Sequence, residues 1–448
     1  MLFGVPDLKR FLVSIFVLLA SSLALVSCGN SNSSSTATNK GPSKLKFRVF
    51  VTNPLFSTGT GSHLPAVNIV DASRDVLSLS VISLSGNSAQ PGLMALSANL
   101  QFTMIYSPSG NTISLLDNST EGIAQTAGGA VQAITLPGFT ESMFIGNANT
   151  AGYAAVPTAP VIGQAPGAVV VLNLLNGSIA ASIPVPGAHF IVPSPDGNHI
   201  LVFSDNSDTV TVITTIAIGT STDPRTYIAG FDRPVWAIFN DNTTAYVLNC
   251  GAQCNGNAAG VSVLNVNTSS IESTTPVSAA TYGLLHGSNL YVAGTPAPNP
   301  VGTNTCNGTA TAATSCGRLT VLETGSMTVA GSAIITDGYH DRMQLSQDGQ
   351  LFIGSHGCTN INISGGEVRG CLSILNTNSS KVVIPLQNGD VTGIQPITGR
   401  PVAYVIQNGQ FWIYDTPADT LQLIPGDANN NNGQIDIVGQ LFDLKLVD

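Results

Sequence analysis

The sequence predicts an all-β fold: a β-propeller of four-stranded antiparallel blades, with eight blades favoured and seven as the alternative. Three observations carry this. Charged residues make up only 9% of the chain while glycine numbers 46 in 448 residues, a composition of strands and turns rather than of solvated helices. No window holds a 3.6-residue apolar period bounded by caps. One short pattern, an alternating apolar strand closed by Asp, Asn or an equivalent, recurs eight times at intervals of roughly fifty residues.

The chain opens differently. Lys9 and Arg10 precede an apolar run over 11–25 (FLVSIFVLLASSLAL), which ends in Leu25-Val26-Ser27-Cys28. The run is short for a bilayer span and carries the flank and ending of an export signal. The ending resembles the bacterial lipobox, whose cysteine is acylated and becomes the new N-terminus. That resemblance implies a lipoprotein signal peptide over 1–27 and lipidation of Cys28, palmitate included. Gly29 rather than Asp follows, which by the same resemblance points to the outer membrane of a bacterial cell envelope, on its periplasmic side or at the cell surface. Each buried methylene of such an anchor adds about 0.8 kcal/mol. Residues 28–46, rich in Ser, Asn and Thr, read as a flexible tether. A single propeller domain is expected over 47–448.

Within that domain the recurring strand is found at Ala66–Asp71 (AVNIVD), Thr112–Asp117 (TISLLD), Ala168–Asn173 (AVVVLN) and Thr209–Thr214 (TVTVIT). It continues at Gly260–Asn265 (GVSVLN), Arg318–Glu323 (RLTVLE), Cys371–Asn376 (CLSILN) and Gln410–Asp415 (QFWIYD). A second strand precedes it, as in Arg48–Asn53, His199–Ser204, Ala245–Asn249, Leu290–Ala293 and Ala403–Ile406. Tight-turn sequences come before that strand: Ser194–Gly197, Asn240–Thr243, His286–Ser288 and Ser346–Gly349. Their Gly and Asn residues accept the positive φ that hairpins need. A fourth strand follows, as in Ile179–Val185. Each unit is therefore four strands, a to d. One such sheet cannot cover both of its faces, and radial packing into a closed ring does. No apolar strand precedes Arg48, so the C-terminal stretch Ile435–Val447 is expected to complete the first blade and close the ring.

Phe50-Val51-Thr52-Asn53 and the Tyr-Val pairs of the second strands resemble the Tyr-Val-Thr-Asn (YVTN) repeat propellers, a family related to lactonase-like and NHL-like propellers. The resemblance covers about residues 47–425. It implies that ligands meet the face carrying the b–c and d–a loops, or the mouth of the central channel. The repeat residues pack blades, so they speak to fold more than to function.

On that face long b–c loops are expected at Pro54–Pro65, Thr158–Gly167, Cys250–Ala259, Thr295–Gly317 and Ser355–Gly370. Six of the seven cysteines fall in these loops or, for Cys371, at the loop's end, as near pairs: Cys250 with Cys254, Cys306 with Cys316, and Cys358 with Cys371. In an exported chain this reads as three local disulfides, bracing loops for recognition or simply protecting them. Just before or within predicted a strands lie His189, Arg233, His340, Asp341, Arg342 and Gln395. In a chain this poor in charge they are candidate ligand residues at the channel mouth, for a polar or anionic ligand. The plainer reading pairs Asp341 with Arg342 or Arg233 and closes the channel.

The net charge of −10 and the lack of a basic cluster argue against nucleic acid. No GxSxG elbow, HExxH helix, phosphate-binding glycine loop or CxxCH is present, and no cofactor is expected. A weak calcium-loop pattern, with Asp427, Asn429 and Asn431 as oxygen donors, has its glycine one position late and lacks the closing Glu. The expected function is a membrane-anchored binding scaffold meeting a protein or glycan through its loop-rich face. The alternative is a lactonase-like hydrolase using the channel.

Overall fold

The computed structural model describes residues 42–448 except 55–56, 59–60, 63–64, 85–89, 127–128, 131–132, 297–304, 307–308, 311–315, 360, 364–366 and 423–432. The signal and lipidation residues, Cys28 among them, and the calcium-like motif lie outside the described residues.

Strand pairing among the described residues builds eight antiparallel sheets of four or five strands, beside four two-stranded ribbons. Their innermost strands are Leu444–Leu446 (blade 1), Met94–Leu96 (2), Ser142–Ile145 (3), Ala188–Pro193 (4), Pro234–Phe239 (5), Tyr282–His286 (6), Tyr339–Leu345 (7) and Val391–Pro396 (8). In that order each neighbours the next, and blade 8 returns to blade 1. The result is a closed eight-bladed propeller around a central channel. The recurring strand is strand c in every blade, within a residue of its expected limits. Helix among the described residues amounts to two 3-10 turns, Thr215–Ala217 and Gly251–Cys254.

Period-two alternation explains the packing. In strand b of blade 1, Val49 and Val51 pack with Tyr404, Ile406, Phe411 and Ile413 of blade 8. Phe50, between them in sequence, packs the other way with Ile105 and Leu116 of blade 2. Both faces of the middle strands are thus core, so their apolar positions run almost unbroken. Burying each large side chain is worth roughly 2 kcal/mol, and the ring repeats this at every blade interface.

Ring closure is as expected in kind and different in detail. Leu444 and Leu446 pair with Val51 and Val49 as the inner strand of blade 1. Thr52 and Asn53 hold the incoming strand: the Asp443 amide donates to Thr52 Oγ1 (2.9 Å), and Asn53 Nδ2 donates to the Val438 carbonyl (2.8 Å). The 435–447 stretch is not one strand, however. Gln434–Ile435 pairs with Trp412 and Phe411 of blade 8, where it extends an outer strand begun by Thr420–Leu421.

Candidate functional site

Each inner strand starts beside the end of strand b, and in blades 4, 5, 7 and 8 its first residue faces the last residue of that strand, as Tyr339 faces His356. The b–c and d–a loops therefore share one end of the channel, and the described disulfides lie there. Cys250–Cys254 and Cys358–Cys371 are bonded. Cys316 is also disulfide-bonded, while the side chain of its expected partner Cys306 lies outside the described residues. The small loop of blade 5 is tied further. Asp232 accepts hydrogen bonds from the amides of Asn257 (3.0 Å) and Ala258 (2.8 Å). Gln253 reaches over blade 6, accepting from the Thr295 amide (2.8 Å) and donating to the Gly338 carbonyl of the blade 6–7 connection (3.2 Å).

Inside this rim four inner strands carry a β-bulge near the mouth, between 188 and 190, 234 and 236, 340 and 342, and 391 and 393. The extra residues are His189, Val235, Asp341 and Thr392. A bulge takes a residue out of the ladder and re-aims its side chain. This is why two residues picked from sequence, His189 and Asp341, come to the mouth.

His189 stands between two carboxylates. Its Nε2 lies 2.7 Å from Glu141 of blade 3 and its Nδ1 2.6 Å from Asp205 of its own blade. Burial works against the imidazolium, yet the two carboxylates outweigh it and raise the His189 pKa. The hydrogen bond from His189 in turn lowers that of Glu141. On the far wall Asp341 lies 3.6 Å from His356 Nδ1 and raises the pKa of that histidine. The walls act on one another. Glu141 of blade 3 feels His356 and Asp341 of blade 7, and Tyr339 feels Asp205 and Glu141.

Arg342 enters below this ring of charge. Burial opposes its ionisation, but Asp341 and Asp443 overcome it and hold the guanidinium firmly protonated. Among the described residues no side chain pairs with it directly, and its Nε is buried without an acceptor. Beside it an aromatic run crosses three blades. The Phe190 ring lies edge-on to Trp236 at 6.1 Å, and Trp236 lies against Tyr282 at 5.0 Å. Burial pushes the Tyr282 phenol up to about 12, so it remains a hydroxyl donor.

The other expected site residues sit elsewhere. Arg233 pairs with Asp208 (3.8 Å), which also accepts from the Arg233 amide (3.1 Å); it does not meet Asp341. Its backbone has φ +54°, and its carbonyl accepts from the Cys250 amide (2.9 Å), so it shapes the base of the braced loop. His340 is fully buried, bonded through Nε2 to the Thr336 carbonyl at 3.0 Å, and burial drives its pKa down to about 4. It belongs to the packing of blades 6 and 7, not to the mouth. Gln395 accepts from the Leu446 amide (3.2 Å) and serves ring closure. Glu141 and Asp205 were not picked out from sequence. Glu141 precedes its inner strand as Arg233 does, and that position was the available signal. Among the described residues no group of three or more His, Cys, Asp or Glu side chains could hold a metal ion, and no helix is long and apolar enough to cross a membrane.

No protein-family model matches the chain, and no curated protein matches it in sequence. Solved structures do. The hydrazine synthase of Kuenenia stuttgartiensis aligns at 14% identity with a TM-score of 0.52, over 75% of this chain and 98% of that one. A dihydro-heme d1 dehydrogenase, NirN, solved in complex with DHE, aligns at 12% identity with a TM-score of 0.55, over 90% of this chain and 75% of that one. At such identities the likeness establishes the β-propeller fold.

Proposed function

We propose that this protein is a lipid-anchored binding propeller of the Tyr-Val-Thr-Asn repeat type, working outside the cytoplasm and meeting its partner through the disulfide-braced face. One observation carries the reading: both described cystine bridges, the Asp232 and Gln253 ties and the charged mouth converge on one end of the ring. The opposite end carries tight a–b turns such as Ser194–Gly197. Loops fixed before binding lose less conformational entropy on association. Disulfides persist in an oxidising compartment, which agrees with an exported chain held by acylated Cys28.

The experiment is site-directed photocrosslinking in intact cells of the source bacterium. A photoreactive residue replaces Gln253 or Thr359 on the braced face, or Asn149 or Asn198 on the tight-turn face. Crosslinks to an envelope component from the first pair alone support the proposal. Equal crosslinking from both faces, or none from the braced face, defeats it. Acylation is read in parallel by mass spectrometry of the mature N-terminus, with Cys28→Ser as the control that abolishes it.

A hydrolase is the second reading, and the Asp341–His356 pair favours it. A carboxylate-backed imidazole can act as a general base, and Arg342 could stabilise a developing oxyanion. Turnover of a lactone that is lost in His356→Gln would move the assignment to that reading.

A further inference from the structure

Asp341 and Arg342 are adjacent, oppositely charged and unpaired with each other. Arg342 makes no ion pair or hydrogen bond with any described residue, and its Nε is buried with no acceptor. Among the described residues Asp341 reaches only His356, through Oδ2 at 3.6 Å, and its Oδ1 is buried with no donor. A buried donor and a buried acceptor left open on consecutive residues are costly unless a ligand or ordered water completes them. The bulge maintains this state. Strand pairing sets His340 opposite Ser355 and Arg342 opposite Gly354, leaving Asp341 as the extra residue.

The surrounding charges select what could fill the gap. A simple anion at Arg342 would face Asp341, Asp443 and Glu141. A simple cation at Asp341 would face Arg342 and His356. A ligand carrying both charges a few bonds apart meets each with its opposite. Tyr282 lies close enough to act electrostatically on both residues, and from it the aromatic run through Trp236 to Phe190 offers an apolar shelf.

We propose that the channel mouth binds a free α-amino acid, its carboxylate on the Arg342 guanidinium, its ammonium on the part-exposed Asp341 carboxylate and its side chain along the Tyr282–Trp236–Phe190 shelf. This deepens the binding reading above and rests on it. The amino acid is a small ligand of the same face that meets the larger partner.

The test is calorimetric titration of the mature protein with each of the twenty common α-amino acids singly, and with acetate and ethylammonium. At least one amino acid is expected to bind at least about tenfold more tightly than either fragment, because a buried polar group left unpaired discriminates strongly. Its Nα-acetyl derivative and its α-carboxamide should each bind at least about tenfold more weakly than the free form. These ligand changes do not depend on a variant's folding. Arg342→Gln and Asp341→Asn should weaken binding similarly, while Arg225→Gln, on the outer strand of blade 4, leaves it unchanged. No binding by any amino acid at millimolar concentration overturns the proposal. So does retention of affinity by the acetylated or amidated ligand, or by Arg342→Gln. Crosslinking from Gln253 and Thr359 is scored separately. Its persistence without amino-acid binding sinks this inference alone, and its loss sinks the broader one.

Discussion

His189 of blade 4 holds Glu141 of blade 3 at 2.7 Å across the interface between them, and takes Asp205 with its other ring nitrogen at 2.6 Å. An imidazole with a carboxylate on each nitrogen donates at both and is therefore the protonated form. Its folded pKa is raised, so the stability it contributes is fully present below the ordinary histidine pKa. That stability is lost as pH rises through the folded value. The thermal midpoint of the wild type should fall more than that of His189→Gln as pH is taken from about 6 to about 8. Both carboxylates are half exposed, so the difference should shrink in high salt. Parallel slopes for the two proteins would show that His189 is not the titrating group. His356, also raised by Asp341, should leave a residual slope of the same sign in the variant.

Arg48 closes the ring at the opposite end of the chain. Its backbone amide and its Nε both donate to Asp448 Oδ2, at 2.8 and 2.7 Å, and its Nη1 donates to Glu121 Oε1 of blade 2 at 2.9 Å. The side chains of Arg48 and Glu121 are almost wholly buried. Removing the cation strands two carboxylates, so Arg48→Met should cost about 3 kcal/mol in urea unfolding. The paired change Arg48→Met with Glu121→Leu should recover part of it. A loss below about 0.5 kcal/mol would mean that closure rests on the strand ladder alone.

The two described disulfides should differ in worth. Cys358–Cys371 spans thirteen positions and Cys250–Cys254 only four. By loop-closure entropy, replacing both members of the first with serine should cost about 3 kcal/mol, and of the second about 2 kcal/mol. Guanidinium unfolding of the two double-serine variants orders them. The reverse order would place the value of the small bridge in the folded state.

Asp232 caps the amides of Asn257 and Ala258. Asp232→Ala should speed hydrogen exchange at those two amides at least about tenfold, with little change in the strands of blade 5, since the loss is a local opening. Unchanged exchange would show that the cystine bridge alone holds the loop.

Gly317 leaves no room for a side chain. A β-carbon there would lie 1.9 Å from the Thr336 carbonyl oxygen, a backbone atom held by the buried His340 Nε2 at 3.0 Å. Gly317→Ala should cost more than about 2 kcal/mol in chemical unfolding, and a smaller loss would mean that the strand yields.

Most of the ring was legible because its signal is local and repeated. Strand c is buried on both faces and ends where the chain turns, so runs such as Val261 to Leu264 mark it without knowledge of the neighbours. The site was less legible because it depends on register. His340, Asp341 and Arg342 were all candidates for one mouth because they are polar residues at an inner strand of a chain poor in charge, although simple alternation sets His340 and Arg342 on one face and Asp341 on the other. The bulge changes that parity, leaving His340 between blades and bringing Asp341 forward. A bulge is decided by the partner strand, here Gly354 and Ser355, and no pattern within residues 339–345 reveals it. The same limit hid the division of the C-terminal stretch. Ile435 and Leu444 are both apolar, yet one joins the outer rim of blade 8 and the other the inner edge of blade 1.

The position of Leu444–Leu446 beside Arg48–Asn53 has a kinetic consequence. Blade 1 begins with its second strand, and the strand that completes it is made nearly four hundred residues later. Until then the inner edge of Val49 to Val51 offers unpaired amides and carbonyls, a template on which foreign strands can add. Contacts so distant in sequence form slowly, so a chain crossing a membrane in extended form would stay open and adhesive until its last segment emerged. Escorting that open ring to closure is a task for chaperones, and their depletion should aggregate this protein before it slows any protein of local topology.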